Sequence, residues 1–504
     1  MAGQSVRSLV PHYAPHGYDF AEYATARNWI GGEWRDSSTG ETMDVENPRY
    51  GRTMGKVVVS PAADVNAAVQ AAKAALPHWR VLPLRERAQV MYRLKAIFER
   101  DMEELCWLLS AENGKTFAEA QGDVGKGIEC IEYAASLAMG GAGGQIDVSR
   151  GVNCQMTHEP LGVVAGITPF NFPMMVPLWM IPNALMGGNA FILKPASAVP
   201  YGPMRIAAAL EEAGLPKGIL NVVYGRREAV GAIADHPEVK AVAFVGSTAV
   251  AKHLYGRGAT LGKRMLCLGS AKNHAIVVPD ADLELTSSTL VASAYGCAGQ
   301  RCMAATMMVA VGDVQPIIDD MVKRTRKLKL GQDMGPIITK EDEQRIVGYI
   351  DQAEKMGAQI LVDGRGAKVD GCPGHWVGPT LIDKVTREMP CSHEEIFGPV
   401  FCILHTKTLD EAIEVTNSSP YGNGGAIFTQ SGNIARIVAE KIDVGMFGIN
   451  IGIPVPREPF AFGGWKDSGF GSMDITGMDG FLFWTRAKKI TEKWAHQAGG
   501  SWMS

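Results

Sequence analysis

Between Leu161 and Leu193 the chain carries no charged side chain. So long an apolar run must cross a membrane or form the interior of a layered core, and its own punctuation decides between the two. Pro169, Pro173, Pro177 and Pro182, with Asn171, Asn183 and Asn189, divide it into short pieces and argue against a single spanning helix. The pieces read as a strand from Leu161 to Thr168, a helix from Pro173 to Gly187 and a strand from Ala190 to Lys194. Strands covered on both faces read as continuous apolar runs, so this is a buried βαβ unit.

The alternation continues with a helix from Tyr201 to Ala213, a strand from Ile219 to Tyr224, a helix near Ala229 and a strand from Ala241 to Val245. It predicts an α/β fold around an open parallel sheet, with its ligand at the C-terminal ends of the strands. The turn Phe244-Val-Gly-Ser-Thr248 leads into another helix and places the N–H groups of Gly246 and Ser247 where a pyrophosphate could bind. No G-x-G-x-x-G occurs.

Upstream, Asn28 to Asn47 is expected to form a short strand pair. Pro83 to Gly114 is expected to form one long amphipathic helix, because Met91, Leu94, Phe98, Met102, Leu105 and Leu109 recur at spacings of three and four. A second helix, Phe117 to Ala138, presents Lys126 between Gly125 and Gly127. Downstream, Asp282 caps a helix predicted to run to a glycine turn, a strand follows from Ala305 to Val311, and a further αβ series reaches about Asn450 as a second domain. A Gly-rich stretch, Phe462 to Gly469, and a strand-like segment, Gly480 to Ile490, close the chain. Met1 to Arg27 lacks a secretory apolar core and reads as a loose extension.

Composition narrows the function. Lys plus Arg number 49 against 53 Asp plus Glu, which gives no electrostatic case for nucleic acid or an anionic membrane and leaves a small molecule as the expected partner. Nine cysteines in 504 residues, without paired or metal-type spacing, suggest reduced thiols, no metal centre and a cytoplasmic setting.

The stretch best suited to chemistry is Gly296-Cys297-Ala298-Gly299-Gln300-Arg301-Cys302-Met303. A thiolate is the reactive form of cysteine, and a neighbouring guanidinium or backbone N–H lowers its pKa. By local sequence alone Cys302 also reads as a small buried apolar residue. Cys297, at helical spacing from Ala294, is expected to pack.

Several motifs then occur in one order: Pro169-Phe-Asn171-Phe-Pro, Leu193-Lys194-Pro195, Phe244-Val-Gly-Ser, Gly299-Gln-Arg-Cys302, Glu395-Ile-Phe397-Gly-Pro and Gly463-Gly-Trp-Lys. Together they resemble the aldehyde dehydrogenase superfamily over about residues 28 to 490. Pro169 to Trp179, Ala271 to His274 and Gly299 to Ala304 are most similar to its CoA-acylating methylmalonate-semialdehyde dehydrogenases. The resemblance implies a Rossmann-like NAD(P) domain (28–143 and 162–272), an α/β catalytic domain (273–479) and a small β oligomerisation arm (144–161 and 480–494), behind an N-terminal extension (1–27). It implies a homodimer or homotetramer.

By the same resemblance Cys302 attacks an aldehyde, and the Asn171 amide with the Cys302 N–H receives the oxyanion. Thr168, Pro169, Phe170, Lys194, Ser197, Gly246, Ser247, Glu395 and Phe397 would line the nicotinamide cofactor, with Lys194 on the adenosine ribose and Glu395 and Phe397 at the nicotinamide end. Arg301 resembles a family arginine that binds the substrate carboxylate, and Lys126 stands where a second arginine is usual. Ser197 stands where NAD-preferring members usually place a glutamate, which leaves NADP open. No glutamate occurs between Tyr255 and Leu283, where hydrolytic members keep a general base in Glu-Leu-Gly-Gly-Lys. Acyl transfer to CoA, with loss of the carboxylate as in those relatives, is the expected outcome. Asp467-Ser-Gly-Phe-Gly471, by contrast, resembles hydrolytic members. A hydrolytic enzyme giving the free acid is the alternative, and a catalytically idle member of the fold a second one.

Overall fold

The computed structural model describes residues 17–141 and 143–494. Two large sheets organise it. The first has eight strands in the order Glu33–Arg35, Asn28–Ile30, Leu220–Val222, Ala190–Lys194, Val163–Ile167, Val239–Val245, Arg264–Leu268, Gly469–Phe470. Its five central strands are parallel and its edges antiparallel. The charge-free run supplies two central strands, both buried along their whole length, and the helix Met175–Met186 between them, buried on every side after its first residue. The strands from Val163 to Val222 extend the sheet one way, and those from Val239 to Leu268 extend it the other. The reversal between Val163–Ile167 and Val239–Val245 opens a crevice at the strand C-termini, the place where such sheets take their ligands.

The second sheet has seven strands in the order Gln359–Val362, Thr380–Asp383, Val400–Thr406, Ala305–Val311, Asn273–Val277, Gly424–Phe428, Met446–Ile449, all parallel except the Gln359–Val362 edge. Each large sheet carries its own apolar cluster. A separate three-stranded antiparallel sheet joins Thr485–Lys493, Val152–Pro160 and Gly144–Ser149.

Several expectations are corrected. The helix expected from Pro83 to Gly114 is two helices, Leu84–Arg100 and Met102–Asn113, divided at Asp101, whose carboxylate bonds the side chains of Arg100 and Arg205. The apolar period runs through the break, so periodicity could not reveal it. The segment from Gly480 is helical first, Gly477–Phe483, and extended only from Thr485. The helix capped by Asp282 stops at Tyr295, short of the cysteine turn. Of the N-terminal extension, residues 1–16 lie outside the described residues. From Gly17 onward the chain is packed rather than loose: Tyr23 N–H donates to the Met54 carbonyl (2.7 Å), and the Tyr18 ring meets Trp107 edge-on.

Candidate active site

The turn before Cys302 has an unusual backbone. Cys297 (φ +50°), Ala298 (φ +52°) and Gly299 (φ +67°) lie in succession in the left-handed region. Gly299 is required there on two counts: its φ is positive, and a Cβ at that position would stand 2.1 Å from the Gly398 carbonyl oxygen. That approach locks the turn against the loop carrying Glu395 and Phe397.

Cys302 follows just before the strand Ala305–Val311. Its carbonyl accepts from the Asn273 amide (2.8 Å) and the Asn423 amide (3.0 Å), two side chains at the starts of neighbouring strands. Neither was singled out from the sequence, although Asn273 lies inside the Ala271–His274 motif; Asn423 gave no signal, because its role exists only once the strands are adjacent. The Asn171 amide donates to the Gln300 carbonyl at 3.0 Å, which brings Asn171 to the turn and leaves its second N–H for another acceptor. Burial, and next the Glu395 carboxylate, push the Cys302 thiol up to about 12, while the Cys302 and Met303 N–H groups and Arg301 pull it down. Cys302 is thus a neutral thiol at rest.

The turn opens on a cavity of about 500 Å³. Phe172, Trp179, Ile453, Val455 and Phe462 give it apolar walls, and Arg301, Lys126 and Arg457 bring positive charge. Cys297, expected to pack, is buried in the left-handed turn and also lines this cavity, its thiol in the field of the Arg301 guanidinium. The Arg301 guanidinium covers Gly296 and forms no salt bridge among the described residues, the Glu119 carboxylate acting on it through space. Lys126 reaches the same cavity but is held by Glu458 (2.7 Å) and Glu129 (3.1 Å). Glu129 in turn pairs with Arg457. Beneath them a buried ion pair, Lys115–Asp123 (2.7 Å), ties the helix Phe117–Gly140 to the Asn171 loop, because Asp123 also accepts the Met175 N–H at 2.7 Å.

At the crevice of the first sheet, Thr168, Pro169 and Phe170 follow the strand Val163–Ile167, and Gly246 and Ser247 follow Val239–Val245, so the two groups stand on either side of the reversal. Lys194 ends the next strand; it is buried, has no hydrogen-bonding or ionic partner for its ammonium among the described residues, and burial lowers its pKa to about 8. A cation so placed suits a hydroxyl-rich or anionic ligand. Ser197 Oγ donates to the Gly225 carbonyl at 3.4 Å. Glu395 accepts the Ala271 N–H at 2.8 Å, and the Phe397 ring stands edge-on to Phe170 with centroids 5.8 Å apart. Thr168 to Phe170, Gly246 with Ser247, and Lys194 thus stand at the C-terminal ends of adjacent parallel strands, and Phe170 meets Phe397.

Comparison with known proteins agrees. The model of the Aldehyde dehydrogenase family matches residues 34–490. The chain is 43% identical over 478 residues to malonate-semialdehyde dehydrogenase 2 of Geobacillus kaustophilus, covering 93% of this chain and 99% of that protein. It is 44% identical over 485 residues to malonate-semialdehyde dehydrogenase of Pseudomonas aeruginosa, covering 94% and 97%. The crystal structure of methylmalonate-semialdehyde dehydrogenase from Oceanimonas doudoroffii superposes with a TM-score of 0.92 at 43% identity, covering 94% and 99%. A Sinorhizobium meliloti structure complexed with NAD superposes equally well, at 42% identity, covering 95% and 99%. The chain belongs to the aldehyde dehydrogenase family.

Proposed function

We propose that this protein oxidises a small acidic semialdehyde of the malonate or methylmalonate type, with NAD or NADP as acceptor, and passes the acyl group to CoA. The observation that carries the reading is the pairing, at one cavity, of Cys302 with an arginine that forms no salt bridge among the described residues.

The chemistry follows from the residues. Arg301 offers a fork that matches the substrate carboxylate. Cys302 Sγ loses its proton and bonds the aldehyde carbon in the field of Arg301 and the two backbone N–H groups, giving a thiohemiacetal whose oxygen is received by the Asn171 amide and the Cys302 N–H. Lys194, Thr168, Pro169, Phe170, Ser197, Gly246, Ser247, Glu395 and Phe397 would hold the dinucleotide. Its nicotinamide, when bound, supplies a two-electron hydride acceptor. Loss of hydride and the hydroxyl proton leaves a thioester on Cys302. The CoA thiol then displaces Cys302, which takes the thiol's proton; the free carboxylate leaves as carbon dioxide, and the electron pair left on the α-carbon takes up a proton from water.

Release by CoA rather than water is supported by the cavity's carboxylates. Asp123 and Glu129 are held by Lys115, Lys126 and Arg457, and Glu119 by backbone N–H groups, so none of the three is free to activate water. The three-stranded sheet exposes Ile146 and Met156 on one face, apolar positions suited to a second copy in a dimer or tetramer. Among the described residues no helix is long and apolar enough to cross a membrane. Nine free thiols suit the cytoplasm.

The test follows reduced nicotinamide formation from malonate and methylmalonate semialdehydes and from propanal, with and without CoA, with NAD and with NADP. Turnover should require CoA and give acetyl-CoA or propionyl-CoA, and Cys302→Ala should abolish it. Free acid formed at a rate indifferent to CoA would overturn the acylating reading, and full activity after Cys302→Ala would overturn the nucleophile.

A further inference from the structure

Two successive residues that carry a Cβ, Cys297 and Ala298, are held in the left-handed conformation directly before the nucleophile, a conformation that persists only where surrounding contacts impose it. Besides the Gly299–Gly398 approach, one contact that holds it comes from a distant helix. Glu119 Oε1 accepts the backbone N–H of Cys297. Glu119 Oε2 accepts the Thr116 N–H at 2.9 Å, and Thr116 Oγ1 accepts the Glu119 N–H at 3.3 Å, which closes the capping box of the helix Phe117–Gly140. One carboxylate therefore joins the start of that helix to the cysteine turn. Glu119, Cys297, Arg301 and Cys302 all line the same cavity. Cys297 is the hub: its N–H is held by Glu119, and the Arg301 guanidinium lies over Gly296, the residue that precedes it.

We propose that Glu119 is a positioning residue for the reaction at Cys302: it holds the left-handed turn and, through Cys297, sets the direction in which Arg301 meets the substrate carboxylate. Each of its oxygens accepts a backbone N–H, so it works by geometry and not as the base that activates water or the thiol. The proposal rests on the reading of Cys302 as nucleophile.

Glu119→Ala and Glu119→Gln separate the possibilities, since glutamine keeps an oxygen acceptor for the Cys297 N–H. Three quantities are measured on the full chain: kcat and KM for malonate semialdehyde and for propanal across pH, the rate of Cys302 alkylation by iodoacetamide followed by peptide mapping, and the melting temperature. For Glu119→Ala we expect kcat/KM for the acidic substrate to fall about tenfold, corresponding to one lost charge-assisted hydrogen bond. Most of that fall should be in KM, with a smaller fall for propanal, a changed alkylation rate and an unaltered shape of the pH profile. Glu119→Gln should recover most of it, and Glu119→Asp, whose shorter side chain draws the carboxylate back from the Cys297 N–H, should show the same losses and takes the place of the alanine variant if that does not fold. Wild-type kinetics and alkylation in both variants, or a lowered melting temperature with unchanged kinetics, would overturn the positioning role. Loss of the acidic limb of the pH profile in both variants would overturn it in favour of a general base. Unimpaired turnover by Cys302→Ala would instead sink the underlying nucleophile reading, an outcome independent of any result at Glu119.

Discussion

Arg301 and Lys126 line one cavity and are treated differently by the fold. Lys126 stands on the helix Phe117–Gly140 between Glu458 and Glu129, the latter shared with Arg457, so its charge is matched by protein carboxylates. Arg301 stands on the cysteine turn, touches a thiol and the Gly296 backbone, and has no ion pair among the described residues. A cation that the protein has already neutralised anchors structure; one left without an anion is available to a ligand. The sequence, in which both are single cations near glycines, suggests a cooperating pair, whereas the geometry separates an acid receptor from a brace between the helix and the Ile453–Glu458 segment. A planar fork against a point charge adds to the contrast.

The sharpest way to break this comparison is Arg301→Leu. If Arg301 alone receives the carboxylate, kcat/KM for malonate semialdehyde should fall about a hundredfold, the cost of two charge-assisted hydrogen bonds, while propanal turnover changes little. The ratio of the two substrates is the measurement, and equal losses would mean that Arg301 serves the fold and not the acid. A second effect separates the two cations through pH. Because Cys302 is raised to about 12, its thiolate fraction, and with it the rate of iodoacetamide alkylation in the cofactor-free enzyme, should climb roughly tenfold per pH unit from pH 7 to 9 without a plateau. Arg301 is among the groups that lower that pKa and Lys126 is not, so Arg301→Leu should slow alkylation at every pH in the range and Lys126→Met should leave the curve in place.

Much of the architecture was legible in advance for a simple reason: strands buried on both faces must be apolar throughout, so the runs at Val163–Ile167, Ala190–Lys194 and Ala305–Val311 declare themselves. The short run Phe481 to Trp484 does not, because four apolar residues satisfy a helix and a strand alike, and its helix is set by packing on the Val163–Val245 side of the core. The site divides in the same way. Cys302, Asn171 and Arg301 stand out through their motif context. Glu119, Asn273 and Asn423 act on backbone groups far away in sequence, and only the folded chain brings those groups to them. Thr116-x-x-Glu119 has the form of a capping box, so the local half of that residue's role was readable; the contact with Cys297 was not.

The smallest predicted effect is the most discriminating for Lys126. Lys126→Met removes the partner of Glu458, whose side chain is 8% exposed, and leaves that carboxylate without a counter-ion. Losing one member of a largely buried pair should destabilise the protein by about 2 kcal/mol, less than for a fully enclosed pair because Lys126 retains some contact with solvent. A second change, Glu458→Gln, should return part of that loss by removing the stranded charge, and chemical denaturation reads both. The ratio of kcat/KM for malonate semialdehyde to that for propanal should stay within about threefold in either variant, since a cation already bound by two carboxylates has little left to offer a third. A shift in that ratio comparable to the one from Arg301→Leu would show that Lys126 exchanges its glutamates for the substrate, and the two walls of the cavity would then work as a pair after all.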